Sequence, residues 1–256
     1  MDWSRAKTVL IWAFLLLNVL LGYQLWMDEL NLTTFAENAT RRDEMNRLLE
    51  QKEIRLDGPV PEGTPSLREI TVRLSGERAE EPQPLAAPFA RSRLDDAALV
   101  RESVAGDVAH PEAYEPDAFA PKPNGSIYVM NQLYGELPMF EMRLELYGDE
   151  KTVDRYRVSY AEVEAQAPSE GQTAQGQEVL SAYIVISSLA ENYLPRGAVV
   201  ADVRLGYHGP IFESETQVLA PYWRVVLNTG ETYYVHAVNG AVEGPSAEPS
   251  GAAKSS

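Results

Sequence analysis

The sequence predicts an α+β protein: a single N-terminal transmembrane helix, then an extracytoplasmic mixed domain of antiparallel sheets with packed helices. Three observations carry this. Val9 to Trp26 is an 18-residue run without a charge. Much of residues 125–243 alternates apolar and polar side chains with the period of two that half-buried strands need, broken by glycine-bearing turns. Within that stretch, residues 178–193 change to a period near 3.6, the mark of an amphipathic helix.

At about 1.5 Å per residue the uncharged run covers roughly 27 Å, close to the hydrocarbon thickness of a bilayer. Arg5 and Lys7 precede it, and Asp28 and Glu29 follow. The positive-inside rule then gives a cytoplasmic tail at 1–7, a membrane helix at 8–27 and an outside C-terminal part. Trp3, Tyr23 and Trp26 lie near the ends, where amphipathic rings favour the interface. A cleaved signal peptide would have a shorter apolar core and small residues at its cleavage site. Leu21 to Trp26 offers no such site, so the segment reads as an uncleaved signal anchor in the cell membrane. Phe14, Asn18, Gly22 and Leu25 share one face of this helix. An amide one turn from a glycine suits a helix–helix contact in lipid. A lone Asn tolerated by a strongly apolar helix fits the same spacing.

The formal net charge is −16. Arg5 and Lys7 against Asp2 leave −17 for everything after residue 27. A surface that acidic repels nucleic acid and anionic headgroups, so no nucleic-acid partner is expected. The chain has no cysteine. That excludes disulfides, thiolate nucleophiles, cysteine zinc sites and a lipidated cysteine, and it is common among extracytoplasmic proteins of Gram-positive bacteria.

Residues 28–56 read as a juxtamembrane helix or stalk. Phe35, Met45, Leu48 and Leu49 recur at helical intervals, Thr33, Thr34 or Asn38 can cap the start, and the composition favours a solvated spacer. Gly58 to Pro65 breaks the helix. Residues 57–124 form a first, proline-rich module with a strand at Leu67–Ser75 and a helix near Leu94–Val104. Residues 125–243 form a second α+β module. Ile127–Tyr134, Met139–Tyr147 and Val153–Val163 make an antiparallel meander, and residues 166–177 a polar loop. A helix over Glu178–Tyr193 stops at Pro195 and Gly197. Strands at Val199–Tyr207, Gln217–Leu227 and Thr232–Val238 complete a sheet whose one face that helix covers. Residues 244–256 have nothing to bury and read as a disordered tail.

The residues name no catalytic group, cofactor-binding group or metal ligand. His110, His208 and His236 stand apart without metal spacing, and no phosphate loop, GxGxxG or GxSxG occurs. Ser4 to Lys7 fits S-x-x-K, but in a short tail with no domain around it. The carboxylates are many, and no pair is singled out for acid–base work. Asn31, Asn38 and Asn124 open glycosylation sequons that matter only in a eukaryotic secretory pathway. The densest aromatic concentration is Tyr222–Trp223 and Tyr233–Tyr234. Alternate members point to opposite sheet faces, so one ring of each pair enters the core. The other either packs as well or is open to a partner.

Several stretches resemble one family. MDWSRAKTVLIWAFLLLNVLLGYQLW is similar to the N-terminus of YycI proteins. VMNQLYGELPMFEMRLELYGD, with QLYGELPMF at Gln132–Phe140, resembles a strand pair of that family, and VRLGYHG and APYWRVVLNTGETYYVHAVNGAVE resemble its C-terminal sheet. The last stretch also looks like the closing hairpin of PepSY-type modules, which makes the C-terminal part PepSY-like. The resemblance covers about residues 1–27 and 125–243. It implies a regulator without enzymatic activity or cofactor, a single-pass protein with its N-terminus in the cytoplasm. With a YycH-like partner it would act on a WalK-type (YycG) sensor histidine kinase governing cell-wall metabolism. Contacts would run through the membrane helix, at Phe14, Asn18, Gly22 and Leu25, and through the ectodomain, at Tyr222, Trp223, Tyr233 and Tyr234. The competing expectation is a tethered PepSY-like protease inhibitor or an envelope enzyme.

Overall fold

The spacing of Met45, Leu48 and Leu49 does make a helix, α1, over residues 40–52. It is seen in a computed structural model that describes residues 12, 14–18, 40–75, 81–122, 125–164, 176–210 and 214–245. Within the expected membrane span, residues 14–18 are helical and exposed, while the remainder, with Gly22 and Leu25, lies outside the described residues apart from Trp12. Among the described residues no helix is long and apolar enough to cross a membrane. The expected tail at 1–7 and residues 246–256 also lie outside them.

The solvated-spacer expectation for residues 28–56 fails at α1. Met45 and Leu49 are buried, 2% and 5% exposed, in one core with Ile186, Leu189 and Trp223. Each such burial is worth about 1.5–3 kcal/mol, while the charged residues Arg42, Asp43, Glu44 and Arg47 stay exposed on the other faces. Lys52 closes the contact by donating from Nζ to the carbonyls of Ala190 and Glu191, the latter at 2.8 Å.

After α1 come β1 (Arg55–Leu56), β2 (Ser66–Leu67), β3 (Ile70–Ser75) and β4 (Gln83–Ala90). A 3₁₀ turn at Arg91–Asp95 leads into α2 (Ala97–Val104), whose start is capped by the Asp96 carboxylate accepting from the Ala98 N–H. β5 (Tyr114–Pro116), β6 (Tyr128–Tyr134), β7 (Leu137–Gly148), β8 (Thr152–Val158) and β9 (Tyr160–Val163) follow. The last elements are β10 (Gln177–Glu178), α3 (Ala182–Asn192), β11 (Val199–His208), β12 (Thr216–Leu227), β13 (Thr232–His236) and β14 (Val242–Glu243).

Among the described residues twelve strands form one sheet, whose main path is β14-β13-β12-β11-β7-β6-β5. β6, β7 and β8 are the expected meander. Two junctions are parallel, β1 with β11 and β11 with β7, so the sheet is mixed rather than antiparallel throughout. Strands from residues 57–124 pair with later ones: β3 with β12 and β9, β4 with β8, β5 with β6. The boundary expected at 124–125 therefore runs through a shared sheet. Prolines did not prevent this, because Pro84 and Pro116 sit on outer strands where a missing N–H costs no ladder bond.

α3 begins at Ala182, later than expected. Gln177 and Glu178 pair with β2, the Leu180 N–H donates to the Ala237 carbonyl at 2.7 Å, and the Leu180 carbonyl accepts from Trp223 Nε1 at 2.8 Å. These bonds hold Val179 and Leu180 outside the helix. α1 and α3 cover one side of β11–β13, and α2 packs Val100 and Val104 on β6–β8 with Leu144, Leu146 and Val153. Gly206 on β11 lets β7 approach closely. A Cβ there would lie 2.5 Å from the Pro138 carbonyl oxygen and 2.6 Å from the Phe140 ring.

Replacing Leu49 by Ala should destabilise the chain by about 2–5 kcal/mol in urea unfolding. Arg47→Ala, on the exposed side of α1, should cost less than about 0.5 kcal/mol. Equal, small effects would mean that α1 is a spacer after all.

Candidate functional site

β11, β12 and β13 have an apolar side under α3 and a second side rich in polar groups. The register sets this division. Val203, Leu205, Trp223, Val225, Tyr233 and Val235 enter the α3 core. Arg204, Arg224 and Tyr234 lie side by side across the three strands on the other side.

Arg224 is wholly buried. Its guanidinium forks onto Asp117, with Nη1 to Oδ2 at 2.6 Å and Nη2 to Oδ1 at 3.0 Å. Nη2 also donates to Asp202 at 3.0 Å, and the cationic carbon stands 4.7 Å from the centre of the Phe140 ring. Asn131 Nδ2 and the Phe119 N–H donate to the same Asp117 carboxylate, and Arg204 Nη1 approaches it at 3.6 Å. Burial pushes the Asp117 carboxyl up, but the Arg224 hydrogen bonds and charge, then Arg204, outweigh it and hold it below its ordinary range. Within this group, among the described residues, the buried Arg224 Nε and Asn131 Oδ1 have no hydrogen-bond partner.

The second group lies farther along the same side. His208 stacks on Tyr234, with ring centres 3.9 Å apart and 5° between planes, and meets Tyr222 edge-on at 5.0 Å. Its Nδ1 bonds to Glu141 from β7, and Nε2 lies 3.1 Å from Glu243 of β14. Tyr222 donates to the same Glu243 at 2.7 Å, and its ring touches His236. Burial lowers the basicity of His208, yet hydrogen bonds and charge from Glu141 and then Glu243 override it and raise its pKa above 6.5. The Tyr222 hydroxyl is pushed up by burial and by Glu243.

Of the four aromatic residues proposed as ectodomain contacts, Trp223 and Tyr233 are in the α3 core, and Tyr234 is buried beneath His208 and Phe140. Tyr222 is half-buried on the polar side. Phe14 is 64% exposed, and Asn18 is exposed on the same short helical run. His208 does not stand alone as the sequence suggested. Asp117, Glu141, Asp202, Arg204 and Arg224 went unnoticed, because their partners lie up to 107 positions away in the chain. The one local signal was Arg224 in the apolar run YWRVVL, a cation where the strand pattern expects burial. Among the described residues no group of histidines and carboxylates is arranged to hold a metal ion.

The motif Gln132–Phe140 gains a structural reason. Gln132 exchanges two bonds with the Ala161 backbone, Nε2 to the carbonyl at 2.7 Å and the Ala161 N–H to Oε1 at 2.9 Å, so its amide ties β6 to β9. Gly135 turns the hairpin at φ +62, a left-handed conformation open to glycine. Phe140 carries Arg224 and packs against Tyr234.

The family model described as YycI protein matches residues 62–238. That interval holds both polar groups except Glu243. The chain is also similar to a crystal structure of an uncharacterized protein from Eubacterium rectale, at 16% identity and a TM-score of 0.31. The alignment covers 45% of this chain and 42% of that one, a likeness too slight to inform the site. No curated protein matches.

Arg224→Met should destabilise the fold by about 3–5 kcal/mol, because it leaves Asp117 buried without its counter-charge. Adding Asp117→Asn should make the double variant cost less than the two singles together. His208, charged more readily in the folded state than in the unfolded one, contributes stability in full below about pH 6.5 and loses it as pH rises through its raised pKa. Unfolding free energies measured from pH 6 upward should therefore fall in that window, and His208→Gln should remove the slope.

Proposed function

The chain belongs to the YycI family, and on that premise we propose that it is a membrane-anchored regulator of a sensor histidine kinase. The observation that carries this reading is the family match over residues 62–238. Membership associates the chain with the WalK (YycG) two-component system and places it among regulatory proteins. The reading proposed here is finer. The chain sits in the cell membrane of a Gram-positive bacterium with its ectodomain outside. It works beside a YycH-like protein, and it shifts the WalK-type kinase between states through helix contacts in the bilayer.

Several features support it. Trp12, Phe14, Leu15, Leu16 and Leu17 expose half or more of their surface, Leu17 least at 50%. Five such side chains on one helical stretch suit lipid or another apolar helix and would be costly in water. Kinase states that differ by a few kcal/mol respond to a helix binding one of them better, so weak helix contacts suffice. The face of Phe14, Asn18, Gly22 and Leu25 supplies an amide and a small residue for such a contact. The C-terminal unit, in which α3 covers β11–β13 and the chain ends in hairpins, supports the PepSY-like kinship of this part. The strongly acidic surface suits a protein partner better than nucleic acid.

The test is genetic and biochemical. Asn18→Leu with Gly22→Leu should reduce co-purification of the kinase about threefold and change its output, since one interhelical hydrogen bond averages roughly 0.6 kcal/mol. Exchange of residues 8–27 for an unrelated membrane helix should abolish regulation while the ectodomain stays folded. Regulation that persists with the foreign helix would overturn the membrane-contact reading. Peptidase inhibition by the isolated ectodomain would support the rival inhibitor.

A further inference from the structure

β14 ends the main path of the sheet and is two residues long. It pairs Val242 and Glu243 with Val235 and Tyr234 of β13. Val242 is half-buried against the α3 core, so little apolar burial holds this strand. Glu243 supplies its side-chain bonds. Oε2 lies 3.1 Å from His208 Nε2, and Oε1 accepts from the Tyr222 hydroxyl at 2.7 Å.

His208 thus stands between two carboxylates, Glu141 of β7 at Nδ1 and Glu243 at Nε2. An ionised carboxylate accepts and cannot donate. The imidazolium has an N–H for each of them, whereas neutral imidazole has one N–H and one lone pair. A neutral ring keeps one of the two bonds and turns its lone pair on the other carboxylate. Burial decides which bond survives. The Glu141 side chain is 13% exposed, and its Oε2 is buried with no hydrogen-bond partner among the described residues. Taking away its remaining donor would leave a buried charge uncompensated. The Glu243 side chain is 54% exposed and can turn to water. The proton of neutral His208 therefore stays toward Glu141, and the bond to β14 is lost.

The other groups around the ring do not replace that bond. Tyr234 stacks on His208, and Tyr222 meets it edge-on. The charges of Arg143, Arg224 and Asp117 act at Tyr234, and that of Glu69 at Tyr222. His236 works in the opposite sense. Its Nδ1 accepts from the Val238 and Asn239 N–H groups at 3.2 and 3.4 Å, which fastens the turn before β14 while that ring is neutral.

We propose that β14 is a pH-sensitive strap: doubly protonated His208 ties it to the sheet through Glu243, and loss of one proton frees Glu243 so that the strand lifts off β13. Lifting opens the outer edge of β13 and uncovers Tyr222. The strap goes beyond the regulator reading and stands whether or not the chain acts on a kinase.

The test is a nitroxide label on Gly244→Cys in the full-length chain in detergent, read by electron paramagnetic resonance. Gly244 is exposed, a Cβ there meets nothing within 4 Å, and the chain has no cysteine of its own. The closed form holds the His208 proton more tightly, above the ordinary 6.5, so opening is favoured as pH rises. The ratio of mobile to immobile label should climb by up to about tenfold per pH unit above about pH 6.5 and level off past the raised pKa. His208→Gln should remove the climb, and His236→Gln should keep it. Glu243→Gln, whose carboxamide can face either form of the ring by rotating, should hold the label immobile throughout. A flat profile in the parent chain, a climb that survives His208→Gln or Glu243→Gln, or one lost in His236→Gln would overturn the proposal. So would the same climb from a label on Arg47→Cys, on the exposed side of α1, because the whole fold would then be loosening.

Discussion

A buried guanidinium organises this protein. Arg224 is on a late central strand, Asp117 precedes the meander, Asp202 is on β11 and Phe140 is on β7. A charge taken out of water must be met by opposite charge and by hydrogen bonds, or it costs several kcal/mol. Only the assembled sheet brings these groups together, so the early proline-rich segment and the late strands are stable jointly. The same constraint explains Gly206. Phe140 can lie against Arg224 only where β7 and β11 approach without an intervening Cβ.

The fold was largely legible in the chain, and the site was not. Alternation at 127–163 and 199–238 located the strands, and the 3.6 period located α3, because each pattern reports local burial. The α3 start was misplaced because Val179 and Leu180 are apolar enough for a helix but bonded to Ala237 and Trp223. α1 was expected in solvent because its charged faces outnumber Met45 and Leu49, and the covering surface of α3 is remote in sequence. The ionic centre needs Asp117 and Arg224, more than a hundred residues apart, and no local periodicity encodes such a pair. His208 looked isolated for the same reason. In the aromatic pairs, alternation puts one ring of each on either side of the sheet without saying which; Trp223 and Tyr233 face α3, and Tyr222 and Tyr234 the other side. It did not reveal that His208 covers Tyr234.

Membership of the YycI family connects this architecture to regulation in the WalK (YycG) two-component system. In the proposed reading the exposed apolar side chains of residues 14–17 meet lipid or another apolar helix. A kinase helix packed there needs only modest energy to bias a two-state kinase.

The central claim is that this chain contacts a sensor kinase within the membrane. A photo-activated crosslinking amino acid at position 14 or 18 in the native host tests it directly. The account predicts a covalent adduct with a membrane helix of a histidine kinase. Adducts with lipid alone, or with a peptidase and no kinase, would contradict it.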